Sequence, residues 1–201
     1  VIDLVARGGG TGGGSAGLAI QGALAVYDGC QGSARSSNAL ANPYGPNISF
    51  TASLFDWAPL GNTLTDSHFV KRDRMGRLMA FLCRQLAGAR HAEVWGLGID
   101  EGSAVVIDRD GVGTVYGDVA YMVQADQAAS SCEDDTDPVT SLGYKVWRLP
   151  AGSRYDFAER PRHGYYRVDV VEGVLASDPY HEPPQAVPTA AVSTAAESSP
   201  Q

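Results

Sequence analysis

Three residues have the side-chain types that acyl transfer requires: Ser15, His68 and Glu101. A serine hydroxyl is a poor nucleophile until an imidazole accepts its proton. The imidazole in turn needs a carboxylate to fix its tautomer and stabilise its charged form. Ser15 stands at the centre of Gly13-Gly14-Ser15-Ala16-Gly17, inside the run GGGTGGGSAGLAIQG. A strand that reverses abruptly into a helix forces its apex residue into strained backbone angles, so the flanking positions must lack side chains that would clash. The amide of Ala16 is then placed as one oxyanion donor, and the first amides of the following helix favour negative charge near the serine. His68 and Glu101 each fall where an apolar run of strand length ends, at the C-terminal edge that an open α/β sheet presents. The order Ser, His, Glu is not the Ser, acid, His order of ordinary α/β-hydrolases, which here would need Asp56 or Asp100 with His163. His163 sits in ERPRHGYY, with no strand end before it, and reads as a surface residue.

The elements that must hold these residues follow from pattern. Residues 1–7 read as the last turns of a helix, 8–14 as a short strand and 16–26 as the helix after the turn, with Leu18, Ala19, Ile20, Ala23, Leu24 and Val26 on its buried side. Residues 27–47 are rich in glycine, serine, asparagine and proline, a long surface excursion of the kind that lines pockets. ISFTASLFDW is apolar enough for a strand or pocket wall, and TLTDSHF is a strand end leading into a helix. That helix has Met75, Leu78, Met79, Leu82 and Leu86 on one face and Gly88 as its C-cap. AEVWGLGID is a run apolar on both faces, as in a buried strand of a parallel sheet. SAVVID and VGTVYG around Arg109-Asp110-Gly111 form a hairpin, and DVAYMVQ, YKVWRLP and GYYRVDVV are further strands. The acidic segment SSCEDDTDP is an exposed linker. The proline-, alanine- and serine-rich stretch 181–201 is a disordered tail after a domain spanning 1–180.

Composition narrows the partners. The chain has 201 residues, 44% of them hydrophobic, enough for one good core. A net charge of −8 and no long basic cluster argue against nucleic acid and anionic membrane surfaces. No apolar run is long enough to span a bilayer. The chain opens on Val1 in mid-element, which implies preceding residues in a longer protein and leaves the compartment open. Cys30, Cys83 and Cys132 lack metal spacing. Cys83 falls on the apolar side of the helix pattern, whereas Cys30 and Cys132 lie in polar loops and are the expected pair if a disulfide forms, which would point to secretion.

Three segments in order, GGGSAG, TDSHFVKRDRMGRL and GLGIDEGSA, resemble the signatures of the cyanophycinase family of serine peptidases. That family's pattern runs G-x-S-A-G, then D-Q-H-F-x-x-R-x-R-x-G-R, then G-I-D-E, on a fold similar to class I glutamine amidotransferases. The resemblance spans residues 1 to about 180. It implies Ser15 as nucleophile, His68 as base and Glu101 as the acid that orients it, with Asp66, Arg72, Arg74 and Arg77 in the substrate pocket. It also implies an α/β three-layer sandwich with a mainly parallel sheet and C-terminal hairpins. The family's N-terminal half, with the first strands and a second oxyanion donor, is expected to lie outside this chain. Homodimers are common in the family. Two positions depart from the pattern: Ser67 stands where the family has glutamine, and Gly14 where threonine is usual.

The reading is thus a serine peptidase, with no metal or cofactor, that cleaves cyanophycin (a poly-aspartate backbone bearing arginines) or β-aspartyl peptides derived from it. A β-linked aspartate keeps a free α-carboxylate, which Arg72 or Arg77 could bind bidentately. The competitors are an α-aspartyl dipeptidase of the same clan and a non-catalytic relative acting as a binding module. Each residue also has a purely structural reading: Ser15 as a helix N-cap, His68 as a buried histidine, Asp66 as a cap, Asp73 with Arg77 as a surface ion pair, Glu101 as a turn residue. Agreement of three segments favours the catalytic one.

Overall fold

The computed structural model describes residues 1–87, 91–126, 130–132 and 137–182. Gly88, residues 133–136 of the acidic segment and 183–201 of the tail lie outside the described residues. The helices are α1 (Ile2–Ala6), α2 (Ala16–Ala19), α3 (Ser36–Ala41) and α4 (Met75–Ala87). The strands are β1 (Val26–Tyr27), β2 (Phe50–Thr51), β3 (Thr63–Ser67), β4 (Glu93–Ile99), β5 (Ala104–Ile107), β6 (Val112–Tyr116), β7 (Val119–Asp126), β8 (Ser130–Ser131), β9 (Thr140–Pro150), β10 (Arg154–Asp156), β11 (Tyr166–Val171) and β12 (Val174–Leu175).

The fold is mixed α/β. Its main sheet has seven strands in the order β12-β11-β9-β7-β4-β3, with β8 beside β9, and a second sheet runs β10-β6-β5. The expectation of a mainly parallel sheet is matched only in part: among the described residues β3 and β4 pair parallel, whereas β4–β7, β7–β9, β8–β9, β9–β11 and β11–β12 are antiparallel. The physical reason lies in the connections. After β4 the chain returns through the β5–β6 hairpin instead of a crossover helix, and a strand brought back that way runs antiparallel. The double-sided burial of β4 remains, because one face packs on α4 and the other on the smaller sheet. Val94 joins the cluster of Leu78, Met79 and Leu82, while Trp95, Leu97 and Ile99 join Val115, Tyr155 and Phe157.

The N-terminal elements also differ from expectation. Residues 8–14 form no strand, since a run with almost no side chains offers nothing to pack and here pairs with no neighbour among the described residues. The helix after Ser15 is a single turn that ends at Ala19. Beyond it the chain turns to lie along β3, where the Leu24 amide donates to the Thr63 carbonyl at 3.1 Å. The Thr65 hydroxyl donates to the Leu18 carbonyl at 2.6 Å, so the serine-bearing turn is pinned to the strand that carries His68 at its end.

Helix α4 is buried nearly all round rather than on one face, from Met75 through Cys83. Its second side is covered by α3, whose Ser36 hydroxyl accepts the Arg77 amide at 3.1 Å and donates to the Asp73 carbonyl. Cys83 is in the core as expected, but its sulfur is bonded to Cys132. That displaces the Cys30–Cys132 pairing: β8 brings Cys132 against α4, while Cys30 is exposed and free. Closing a loop of 49 residues is worth roughly 4 kcal/mol in the chain-entropy account. Dithiothreitol is therefore expected to lower the urea midpoint of the natural protein and leave that of Cys132→Ser unchanged. Equal midpoints for the natural protein with and without reductant would remove the bond from the stability of the fold.

Candidate active site

The parallel register places the two strand ends side by side, with Asp66 opposite Gly98 and Ser67 opposite Ile99. His68, directly after β3, and Glu101, two residues after β4, therefore leave the sheet at the same edge. Phe69 turns inward there, and its ring lies where a Cβ on Gly98 would stand, 2.5 Å away, so a glycine in β4 is what lets the histidine-bearing turn sit close to the sheet.

At that edge His68 Nδ1 is 2.8 Å from Glu101 Oε1, and His68 Nε2 is 3.2 Å from Ser15 Oγ. An ionised carboxylate only accepts hydrogen bonds, so Nδ1–H donates to Glu101, and in the neutral ring the Nε2 lone pair then faces the serine hydroxyl. This is the tautomer a general base needs. Ser15 itself has φ 52° and ψ −121°, a conformation costly for any residue with a Cβ. Gly13 is required by the same turn, because a Cβ there would run into the Gly17 carbonyl. Gly17, Leu18 and Ala19 donate back to Gly14 and Ser15, whereas the Ala16 amide has no backbone acceptor among the described residues. It is free to meet an oxyanion. The side chain of Glu101 is 45% exposed and that of His68 23%. Water screens the carboxylate's charge at that exposure, so its contribution is mainly to orient the ring.

Beside Ser15 lies a cleft of about 200 Å³, walled by Tyr27, Ser33, Asp66, Ser67, Arg74 and Arg77. Asp66 is its buried anchor, 5% exposed. It accepts from Arg77 Nε at 2.7 Å and Nη2 at 2.5 Å, from Arg74 Nη1 at 3.5 Å and from the Ser67 amide at 2.8 Å. The remaining Arg77 nitrogen donates to Ser33 Oγ at 2.8 Å and the Ala34 carbonyl at 3.2 Å, and its guanidinium lies 5.1 Å from the Tyr27 ring centroid. Burial, with the Arg77 charge beside it, holds the Arg74 guanidinium below its ordinary pKa.

No protein-family model matches this chain, and no curated protein does. The site therefore stands on its geometry.

The structure brings Ser15, His68 and Glu101 together and puts Ala16, Asp66, Ser67, Arg74 and Arg77 around the cleft. It separates the arginines by role. Arg77 has its whole fork engaged inside the protein, so it cannot also grip a substrate carboxylate. The alternative reading of Asp73 with Arg77 as a surface ion pair is not what the structure shows. Arg77 turns to Asp66, and Asp73 Oδ1 instead accepts from the Tyr180 hydroxyl at 3.0 Å. Arg72, with its side chain 54% exposed, has Nε 4.0 Å from Glu101 and no hydrogen bond from its terminal nitrogens among the described residues.

Sequence reading foresaw that residues 27–47 line a pocket but had no period from which to name Tyr27 and Ser33. Tyr27 organises that loop, accepting from the Ala34 amide at 2.8 Å and donating to the Asn47 carbonyl at 3.0 Å. Cys30 is no rival nucleophile, since its hydrogen bond with Asp28 and that carboxylate's charge raise the thiol pKa. His163 is exposed in its loop, as expected.

Proposed function

We propose that this chain is a serine peptidase of the cyanophycinase type, acting through Ser15, His68 and Glu101 on a peptide or isopeptide bond next to aspartate. The observation that carries the reading is the hydrogen-bonded line from Glu101 through His68 to a Ser15 held at φ 52°. A serine that merely capped a helix would have no reason to keep so costly a backbone. Ser15 would attack the scissile carbonyl as His68 takes its proton. The Ala16 amide would stabilise the oxyanion, and His68 would return the proton to the leaving amine.

An open guanidinium supports the substrate class. With Arg77 committed to Asp66, and Arg74 buried and donating to the Ser67 carbonyl at 2.8 Å and to Asp66 at 3.5 Å, the exposed Arg72 beside Glu101 is the guanidinium of this cluster left to meet a free carboxylate of an aspartyl substrate. The resembled architecture, a three-layer sandwich with further parallel strands beyond β3, belongs to the same proposal, as does a homodimer. The bonded pair Cys83–Cys132 supports action in an oxidising compartment. A second reading, α-aspartyl dipeptidase, is favoured by two features: Ser67 and a cleft of about 200 Å³ suit a short peptide better than a polymer.

Incubating the full-length protein with cyanophycin, β-Asp-Arg and α-Asp-X peptides separates these readings. Release of β-Asp-Arg from the polymer supports the first, cleavage of α-linked dipeptides alone the second, and no cleavage with no Ser15 modification by a fluorophosphonate a binding module. Arg72→Lys is expected to lower kcat/KM on the preferred aspartyl substrate by about 1.5–3 kcal/mol, since an ammonium cannot reproduce two parallel hydrogen bonds. Ser67→Gln is expected to raise activity on cyanophycin relative to α-aspartyl dipeptides. Unchanged rates in both variants would take these residues out of substrate recognition.

A further inference from the structure

Asp100 precedes the triad acid and is itself a carboxylate at a strand end, but it points elsewhere. Its Oδ1 accepts from the amides of Val70 at 3.0 Å and Lys71 at 2.9 Å. Those amides open the tight turn that follows His68. The turn then closes on itself, with Arg72 donating to the His68 carbonyl at 3.0 Å, Asp73 to Val70 at 3.0 Å and Arg74 to Phe69 at 2.9 Å. Val70 and Lys71 stand where the first amides of any helical turn lack an acceptor within the turn. Asp100 supplies one from the neighbouring strand. His68 has φ 50°, a left-handed conformation that persists only where its surroundings over-determine it.

We propose that Asp100 is a positioning residue: its carboxylate, by gripping the backbone two and three residues beyond His68, holds the imidazole in line between Glu101 and Ser15. The dipeptide Asp100-Glu101 thus fixes the histidine twice, the glutamate through the ring and the aspartate through the chain that carries it. Because both grips come from one strand end, a shift of β4 relative to β3 would move ring and backbone together and keep the Nδ1 contact. Without Asp100 the ring would be held by its two exposed contacts, with Glu101 and Ser15, on a strained backbone. A displacement of about 1 Å at a reacting group costs on the order of 10²-fold in rate.

This inference rests on the catalytic reading of Ser15 and His68. The test is therefore the rate at which a fluorophosphonate labels Ser15, with steady-state kinetics on an aspartyl peptide alongside. If the natural protein does not label, the catalytic reading fails and this inference with it. If it labels, Asp100→Ala is expected to label and turn over roughly 10- to 100-fold more slowly with KM within about twofold. Asp100→Asn, whose amide oxygen still accepts both N–H groups, is expected to stay within about fivefold of the natural rate. Unimpaired labelling in Asp100→Ala would overturn the inference and leave the catalytic reading standing. An Asn variant as slow as the Ala variant would overturn it too, since it would mean that Asp100 acts through its charge. Should Asp100→Ala fail to fold, the Asn variant decides alone: retained kcat supports the backbone grip, and a tenfold or greater loss refutes it.

Discussion

On the proposed mechanism, Ser15→Ala is expected to reduce turnover by about 10⁴-fold or more, because loss of the proposed nucleophile would leave only the oxyanion donor and binding to act on the substrate. The melting temperature should barely move, since alanine at φ 52° bears the same Cβ strain as serine. Ser15→Gly separates catalysis from folding more sharply. Glycine adopts that backbone without strain, so turnover should vanish while stability rises by about 1 kcal/mol. Steady-state kinetics and thermal unfolding on the three proteins check both halves. Near-normal activity in Ser15→Ala would remove the serine from the chemistry. A glycine variant less stable than the natural protein would show that the φ 52° conformation stores no strain.

What the sequence disclosed about this site, and what it did not, has a physical pattern. Ser15, His68 and Glu101 were legible because each stands next to a local signal, a glycine-flanked turn or the end of an apolar run, and because local signals mark where side chains leave a sheet. Strand direction was not legible in the same way. The run Val94 to Ile99 is buried on both faces whether its neighbours are parallel or antiparallel, and only the short β5–β6 return decides for β7. The helix over 16–26 failed because apolar content cannot distinguish one turn of helix from a segment lying against a strand edge. The cysteines failed for a related reason. Burial of Cys83 was read correctly, yet a buried position on a helix says nothing of which distant loop will dock beside it, and Cys132 arrives there only through β8. Arg77 shows the limit most plainly: the resemblance to the cyanophycinase pattern implied a place for it in the pocket, whereas the depth that commits it to Asp66 is a tertiary property.

That depth sets the second large effect. Asp66, Arg74 and Arg77 are 5%, 8% and 3% exposed, so one carboxylate neutralises part of two guanidinium charges where water cannot. Asp66→Ala would leave both arginines buried without their counter-charge and is expected to cost about 3–5 kcal/mol, a large share of the 5–15 kcal/mol typical of a domain. The same substitution releases the Ser67 amide, which Asp66 holds at 2.8 Å one residue before His68, so residual activity should fall together with stability. Adding Arg77→Met in the Asp66→Ala background removes the more deeply buried of the stranded charges and fills its place with an apolar chain. The double variant is therefore expected to be more stable than Asp66→Ala alone, by at least about 1 kcal/mol. Urea denaturation of the two single variants and the double variant completes the cycle. A loss below about 1 kcal/mol for Asp66→Ala, or additive losses in the double variant, would mean that water reaches the cluster. Asp66 would then be a wall of the cleft and no longer the anchor that keeps Arg77 from the substrate.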